Sequence, residues 1–379
     1  GRVLGAHDGI ESGLYAELRA RVNEYFEEHG LQSRGGAFMY AKTAALLTSL
    51  SLCYYAAVFA RPDLALWLAP LVGVQMAMVG LSIQHDANHG SFSPYPWLNR
   101  IMGLTDDLIG GSALMWRHQH NIAHHAHPND SELDADSITN FPLVRMNPVL
   151  PVRWYLRFQH LYAPVLYCLL GMSYPIGDVV GFLKRSYEHV PLQPLRPVDV
   201  ITFILGKVLH YTIVLGLPIY SLGWQLGLLF FVVMQAVGGN FLASVFAVSH
   251  NAEANDYNCD PDTDWAELQI RTSCNWSPHS TFWWLATGGL NFQIEHHLFP
   301  GVCHVHYPAI AKITRQLCEE KGLPYNSYGS YYAIYSSHIR TLWLLGRGMD
   351  HKVFHEKALA RIREQLAGGA KGKGKGEGQ

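Results

Sequence analysis

Four long apolar stretches give the chain its pattern, and they come as two hairpins. Residues 41–60 (AKTAALLTSLSLCYYAAVFA) carry one charge, Lys42, and residues 64–84 (LALWLAPLVGVQMAMVGLSIQ) carry none; RPD separates them. Residues 200–221 and 225–249 repeat the figure, apolar except for Lys207 and His210 and broken at GWQ. At about 1.5 Å per residue, each stretch is long enough to cross a hydrocarbon core about 30 Å thick. The pattern predicts an all-α integral membrane protein with four transmembrane helices in two hairpins.

The remaining chain is polar or mixed. Residues 10–29 place apolar positions at helical spacing among charges, which predicts an amphipathic, solvent-exposed helix. Residues 158–183 are apolar but hold two prolines and an aspartate. If they crossed the membrane, the histidines near 296 would lie opposite those near 85 and 120. We therefore expect them in the interface or re-entrant. After 250 the chain is polar and aromatic, with helical patterning near 308–320 and 351–366, which suits a helical cap over the membrane part. Three regions follow: an N-terminal amphipathic segment (1–36), a membrane domain (37–366) and a flexible tail (367–379, AGGAKGKGKGEGQ). Arg34, Arg117, Arg153, Arg157, Lys184, Arg185, Arg196 and Arg271 fall on the same side as the histidines, so that side is expected to be cytosolic.

Composition refines this picture. The mean hydropathy is only +0.03, so the spans share the chain with a large aqueous part. A net charge of -2 over 379 residues argues against nucleic acid as the main partner. The six cysteines show no CxxC spacing and suit free thiols in a reducing compartment. The start at Gly1 fits a fragment or processed form, with no secretory signal peptide in view.

Histidine is the outlier: 21 in all, seven of them between His85 and His127. They fall in clusters. In HDANH, His85 and His89 stand at i and i+4, on one helix face. In HQHNIAHHAH, His120 and His124 share a face with His125 beside them. In QIEHH, Gln293, His296 and His297 stand at i, i+3 and i+4. His250 ends the fourth span on the same predicted side. A glutamine carbonyl can bind a metal or hold a metal-bound water, so Gln293 need not mark a missing ligand. Eight imidazoles exceed what one tetrahedral ion takes and suit two metals. Imidazole accepts iron, copper and zinc; HExxH and CxxCH are both absent.

Three boxes in this order around two hydrophobic hairpins resemble the membrane fatty-acid desaturases, over most of residues 35–310. Glutamine at the head of the third box is similar to the front-end type, which desaturates between an existing double bond and the carboxyl end. Sphingoid long-chain-base desaturases share that signature. The resemblance implies a di-iron centre held by His85, His89, His120, His124, His125, His250, Gln293, His296 and His297. It also implies dioxygen as oxidant, a lipid acyl substrate, and electrons from cytochrome b5 and its reductase, at an endoplasmic-reticulum membrane with the boxes facing the cytosol. Front-end members usually carry a fused cytochrome b5 domain with an HPGG motif. This sequence lacks that motif, so either that domain has been removed or electrons come from a separate, external cytochrome b5. Carboxylates and amides near the boxes (Asp86, Asn88, Asn121, Asp130, Asp134, Asp136, Glu295) are candidates to orient the ligands. Trp116, Trp276, Trp283, Trp284 and Phe292 are candidates to line an acyl tunnel. Competing readings are a histidine-box lipid hydroxylase, a membrane zinc hydrolase and a bis-histidine haem protein.

Overall fold

A computed structural model describes residues 13–373 apart from 135, 137–139, 188, 189 and 261. The predicted hairpins are present. Helix α1 (Gly13–Glu28) precedes the first, built of α2 (Ala37–Tyr55, continued as a π turn to Ala60) and α3 (Ala65–Val79). A π turn (Gly80–Gln84) joins α3 to α4 (His85–Asn88), so the first histidine pair sits on a rigid continuation of the second apolar helix. The second hairpin is α10 (Pro197–Tyr211) and α11 (Leu217–Leu222) followed by α12 (Trp224–His250), whose last residue is a histidine. The hairpins meet where α3 crosses α12. A Cβ at Gly73 would run into the Met234 carbonyl, and one at Gly238 into the backbone of Gly73. Small residues permit that approach, as in membrane helix packing generally.

Between the hairpins lie α5 (Pro96–Gly103), α6 (Thr105–Ile109), α7 (Ala113–Trp116, continued as a π helix through Arg117–His124), α8 (Gln159–Leu166) and α9 (Leu170–Lys184). Beside the four expected spans, a further segment of the described chain is long and apolar enough to cross, which makes five. The fifth is Trp154–Lys184, 31 residues long. The sequence hid its length because Pro164 and Pro175 interrupt it; short 3-10 turns at Trp154–Phe158 and Tyr167–Leu169 carry the chain into and between α8 and α9.

Lys207, inside the third apolar stretch, is tolerated because its ammonium is fully engaged. It donates to the Gly110 and Gly111 carbonyls at 2.7 and 2.9 Å and to Asp178 at 2.8 Å. His210, on the same helix, places Nδ1 2.9 Å from the Leu108 carbonyl.

The polar C-terminal third, expected as a cap and termed the cap, is mostly helical: α13 (Trp265–Thr272), α14 (Thr281–Ala286), α15 (Gln293–Leu298), α16 (Tyr307–Lys321), α17 (Tyr331–Gly346) and α18 (His351–Lys373). The chain is mostly helical but not wholly so. Ser186–Tyr187 pairs antiparallel with Val190–Pro191, and Asn275–Trp276 pairs parallel with Ser327–Tyr328, which stitches the start of the cap to its end. Helix α1 departs from its expected exposure. Tyr15, Leu18, Val22 and Phe26 are buried in the same cluster as Phe299 and Ile310, so its apolar stripe closes over the cap. Helix α18 continues to Lys373, through half of the stretch read as a tail; residues 374–379 lie outside the described part.

Candidate metal centre

The three boxes and His250 converge on one buried chamber where α3–α4, the end of α7, α12 and α15 meet. Among the described residues, ligand nitrogens of His85, His89, His120 and His296 lie within 4.8 Å of one another, as do those of His124, His250 and His297. His125 stands between. Its Nε2 is 3.1 Å from His120 Nε2 and 3.0 Å from His296 Nε2, and its ring stacks on His297 at 4.5 Å, so it touches both groups. In the second group, His297 Nε2 is 3.1 Å from His250 Nε2, and the Gln293 amide is 2.9 Å from that same nitrogen.

These separations fit ligands. Two nitrogens each about 2.1 Å from one ion, at right angles, lie about 3.0 Å apart. Metal ligation would account for orphaned buried atoms that face the chamber: His85 Nε2, His89 Nε2 and Gln293 Oε1 have no partner. A buried polar atom without a partner is costly, so a chamber holding three is built for something that satisfies them.

The outer ring nitrogens are held. His124 Nδ1 lies 3.2 Å from both carboxylate oxygens of Asp134, and His250 Nδ1 lies 3.1 Å from the Thr272 carbonyl. His297 Nδ1 is 2.8 Å from Gln269 Oε1, and His296 Nδ1 is 3.3 Å from the Tyr307 hydroxyl. Acceptors on Nδ1 place the ring proton there and leave the Nε2 lone pair facing inward. Burial, reinforced by neighbouring imidazoles, holds His120, His125, His296 and His297 well below the ordinary histidine range, so they are neutral and ready to ligate. His124 goes the other way. Burial pulls it down, but the Asp134 carboxylate outweighs this and lifts it to about 9, so a cation entering the second group displaces a proton.

The candidate orienting residues separate. Asp134 touches a ligand, Asp136 stands 3.8 Å from His124, and Asp86 stands 3.7 Å from His85 Nδ1. Asn88 and Asn121 touch no box histidine. Asn88 donates to Gln84 and the Gly103 carbonyl and accepts from Arg117, and Asn121 donates to the Asn88 carbonyl. Asp130 accepts from the backbone of Glu132 and Leu133 in the loop beyond box two. Glu295 points into the cap, where Asn275 Nδ2 and Tyr325 Oη donate to it at 2.7 and 3.0 Å. Burial pushes its carboxyl up to about 7 despite those donors. Glu295→Gln should therefore retain metal content and turnover within about twofold, since the amide oxygen accepts from Asn275 while its N–H donates to the Tyr325 hydroxyl. Glu295→Ala should cost about 1–3 kcal/mol for each donor left unsatisfied, read as a lower melting temperature in detergent.

Of the tryptophans, Trp116 alone walls the chamber. Its ring stacks on His120 at 4.4 Å and stands edge-on to His85 and His89. Trp276 is fully buried in the cap, packing on Trp283 and Tyr331 and donating to Ser249. Trp284 donates to the His304 carbonyl and stacks on Phe38, and Phe292 belongs to the cap core. Gln269, Thr272 and Tyr307 escaped the sequence reading because no box surrounds them.

Comparison with known proteins agrees with this chemistry. The model of the fatty acid desaturase family matches residues 62–329. An acyl-lipid (7-3)-desaturase, chloroplastic, of Chlamydomonas reinhardtii is 37% identical, covering 89% of this chain and 66% of its own length. An acyl-lipid (8-3)-desaturase of Physcomitrium patens is 34% identical, over 89% of this chain and 73% of its own. An sn-1 linoleoyl-lipid 6-desaturase of Arthrospira platensis is 34% identical, over 86% and 90%. With family match, histidine boxes and membrane-length helices in agreement, this chain belongs to the fatty acid desaturase family and is an acyl desaturase.

Proposed function

We propose that the protein carries out oxygen-dependent front-end desaturation of an acyl chain esterified to a membrane lipid, with two irons as cofactor. The convergence of nine side chains into two groups carries the reading. His85, His89, His120, His125 and His296 would hold the first iron, and His124, His250, His297 and Gln293 the second. When bound, the pair supplies the oxidising power to break unactivated C–H bonds, which no side-chain acid or base can match. In balance, –CH2–CH2– plus O2, two electrons and two protons gives –CH=CH– and two waters. The protein's own residues orient and exclude. Asp134, Gln269, Thr272 and Tyr307 fix the ligand rings, and Trp116 covers the first group.

An ester-linked substrate is favoured over acyl-CoA because the relatives' names specify acyl-lipid and linoleoyl-lipid substrates. External cytochrome b5 and its reductase are the proposed donors. The proposed setting is the endoplasmic reticulum, boxes to the cytosol; the plastid is the second reading, since the Chlamydomonas relative is named chloroplastic. We further propose four crossings, with residues 154–184 re-entrant. Ala163 packs near Ala243, Gly171 abuts Gln235 deep along α12, and Phe182 stacks on Phe203 in the first turns of α10. The segment thus descends and returns on the box side, which keeps all three boxes on one face.

The test is expression in a host supplying cytochrome b5 and candidate lipids, with double-bond positions read by mass spectrometry and iron counted per purified chain. A new double bond on the carboxyl side of an existing one, with about two irons, is expected. A hydroxylated acyl product, an altered sphingoid base, or one zinc in place of iron would overturn it.

A further inference from the structure

A second chain of buried polar side chains abuts the first metal group and has no part in the chemistry above. Lys42, near the start of α2, places Nζ 2.9 Å from His304 Nε2 and 3.2 Å from Ser82 Oγ. His304 Nδ1 lies 2.8 Å from Asp86 Oδ2, and the His304 backbone N–H donates to the same oxygen at 3.2 Å. The other carboxylate oxygen, Oδ1, stands 3.7 Å from His85 Nδ1. Asp86 and His304 are 1% and 0% exposed, and the three residues come from the first span, the first box and the turn after the third box.

The donors run in one direction. An ammonium can only donate, so His304 Nε2 accepts and the His304 proton sits on Nδ1. That proton goes to Asp86, whose carboxylate only accepts. Asp86 Oδ1 remains, facing His85 Nδ1; it favours the proton there and the lone pair on Nε2. Asp86 follows His85 on the helix, about 100° round the axis, so without this tether its side chain would have no reason to lie beside the ligand. Lys42 in turn gains the partners that a cation on an apolar helix requires.

A third metal is the alternative, since Asp86, Cys303 and His304 also bring ligand atoms within 4.8 Å of one another. Lys42 argues against it. Its positive charge lies 2.9 Å from the imidazole nitrogen, and the other nitrogen already serves Asp86.

We propose that Lys42 and His304 are positioning residues for the first metal: they hold Asp86 against His85 and tie the first span to the first box. This rests on the two-iron reading above.

The experiment compares purified full-length wild type with Lys42→Met, His304→Gln and His304→Asn, by iron per chain, Mössbauer spectra of iron-57 protein, and melting temperature. An asparagine amide nitrogen falls near the place of imidazole Nδ1 and keeps the bond to Asp86; a glutamine amide falls near Nε2 and loses it. Lys42→Met and His304→Gln should therefore lose one of two irons preferentially, through retention about 10- to 100-fold weaker, with the signal of the other unchanged. His304→Asn should stay near two. The proposal is overturned if Lys42→Met and His304→Gln keep both irons with unaltered spectra. It is overturned equally if all three variants lose both irons together with their melting transition. Wild type lacking two irons would sink the dinuclear reading itself, and this inference with it.

Discussion

Changing His124 to alanine should abolish desaturation while protein still accumulates in the membrane, with iron falling from about two per chain toward one. His124 supplies one of three imidazoles in the second group, and it is the one held by a carboxylate at 3.2 Å. Without it, His250, His297 and the weaker Gln293 remain, too few for an ion that takes at least four ligands. In the proposed reaction the two irons act together, so loss of one should stop turnover rather than halve it. His297→Ala strikes the same group and His120→Ala the first, so all three variants should be equally inactive. The iron lost should differ between His120→Ala and the other two. Fatty-acid analysis of cells expressing each variant, beside iron counts and Mössbauer spectra of purified protein, checks this. Intact desaturation in any of the three would break the ligand assignment.

The division of the histidines into two groups was only half legible. Spacing picked out the candidate ligands, since few other roles explain imidazoles at i and i+4 next to apolar spans. It did not show which ligands share an ion. His296 and His297 are neighbours, about 100° apart on α15; the proposed assignment gives them to different ions, although their ligand atoms also come within 4.8 Å of each other beside His125. His120 and His124 read as one face of an α-helix. The segment is π-helical, however, and although the two rings stack at 5.3 Å, the proposal gives them to different ions as well. The same angular logic explains the misplaced neighbours. Glu295 precedes His296, and Asn88 precedes His89. Adjacency in sequence turns each side chain away from the chamber, Glu295 toward Asn275 and Tyr325, Asn88 toward Gln84 and Arg117.

Apart from Asp134, which the sequence analysis named, what holds the rings came from outside the boxes and left no local trace. Gln269 and Thr272 lie on α13, and Tyr307 opens α16; each reaches a ligand between 11 and 28 residues distant. The hydrophobic pattern was informative where whole helices face lipid and poor where apolar side chains meet other protein. The stripe on α1 looked like that of a free surface helix until Phe299 and Ile310 were found beneath it. In the segment 154–184, two prolines and an aspartate obscured a helical path of membrane length.

Gln293→Ala should lower turnover about 10- to 100-fold, the usual cost of removing a group that tunes a metal site, while the protein stays folded. The side chain is 1% exposed, its Oε1 has no partner, and its amide nitrogen lies 2.9 Å from His250 Nε2. His250 keeps its proton on Nδ1, facing the Thr272 carbonyl, so Nε2 carries a lone pair. An amide N–H can donate to that lone pair only while no cation claims it. Once an ion is bound, the same amide must present oxygen instead, and a half-turn about its terminal bond does so with little change in shape. Glutamine is thus a ligand that can also serve the apo site, which a fixed imidazole at this position could not do equally well. Two measurements separate its possible parts. If Gln293→Ala loses turnover and one iron, the oxygen is a direct ligand of the second ion. If turnover falls with two irons retained, the amide holds a water beside it. Wild-type turnover in this variant would make Gln293 a bystander, and the second group would then need another fourth ligand.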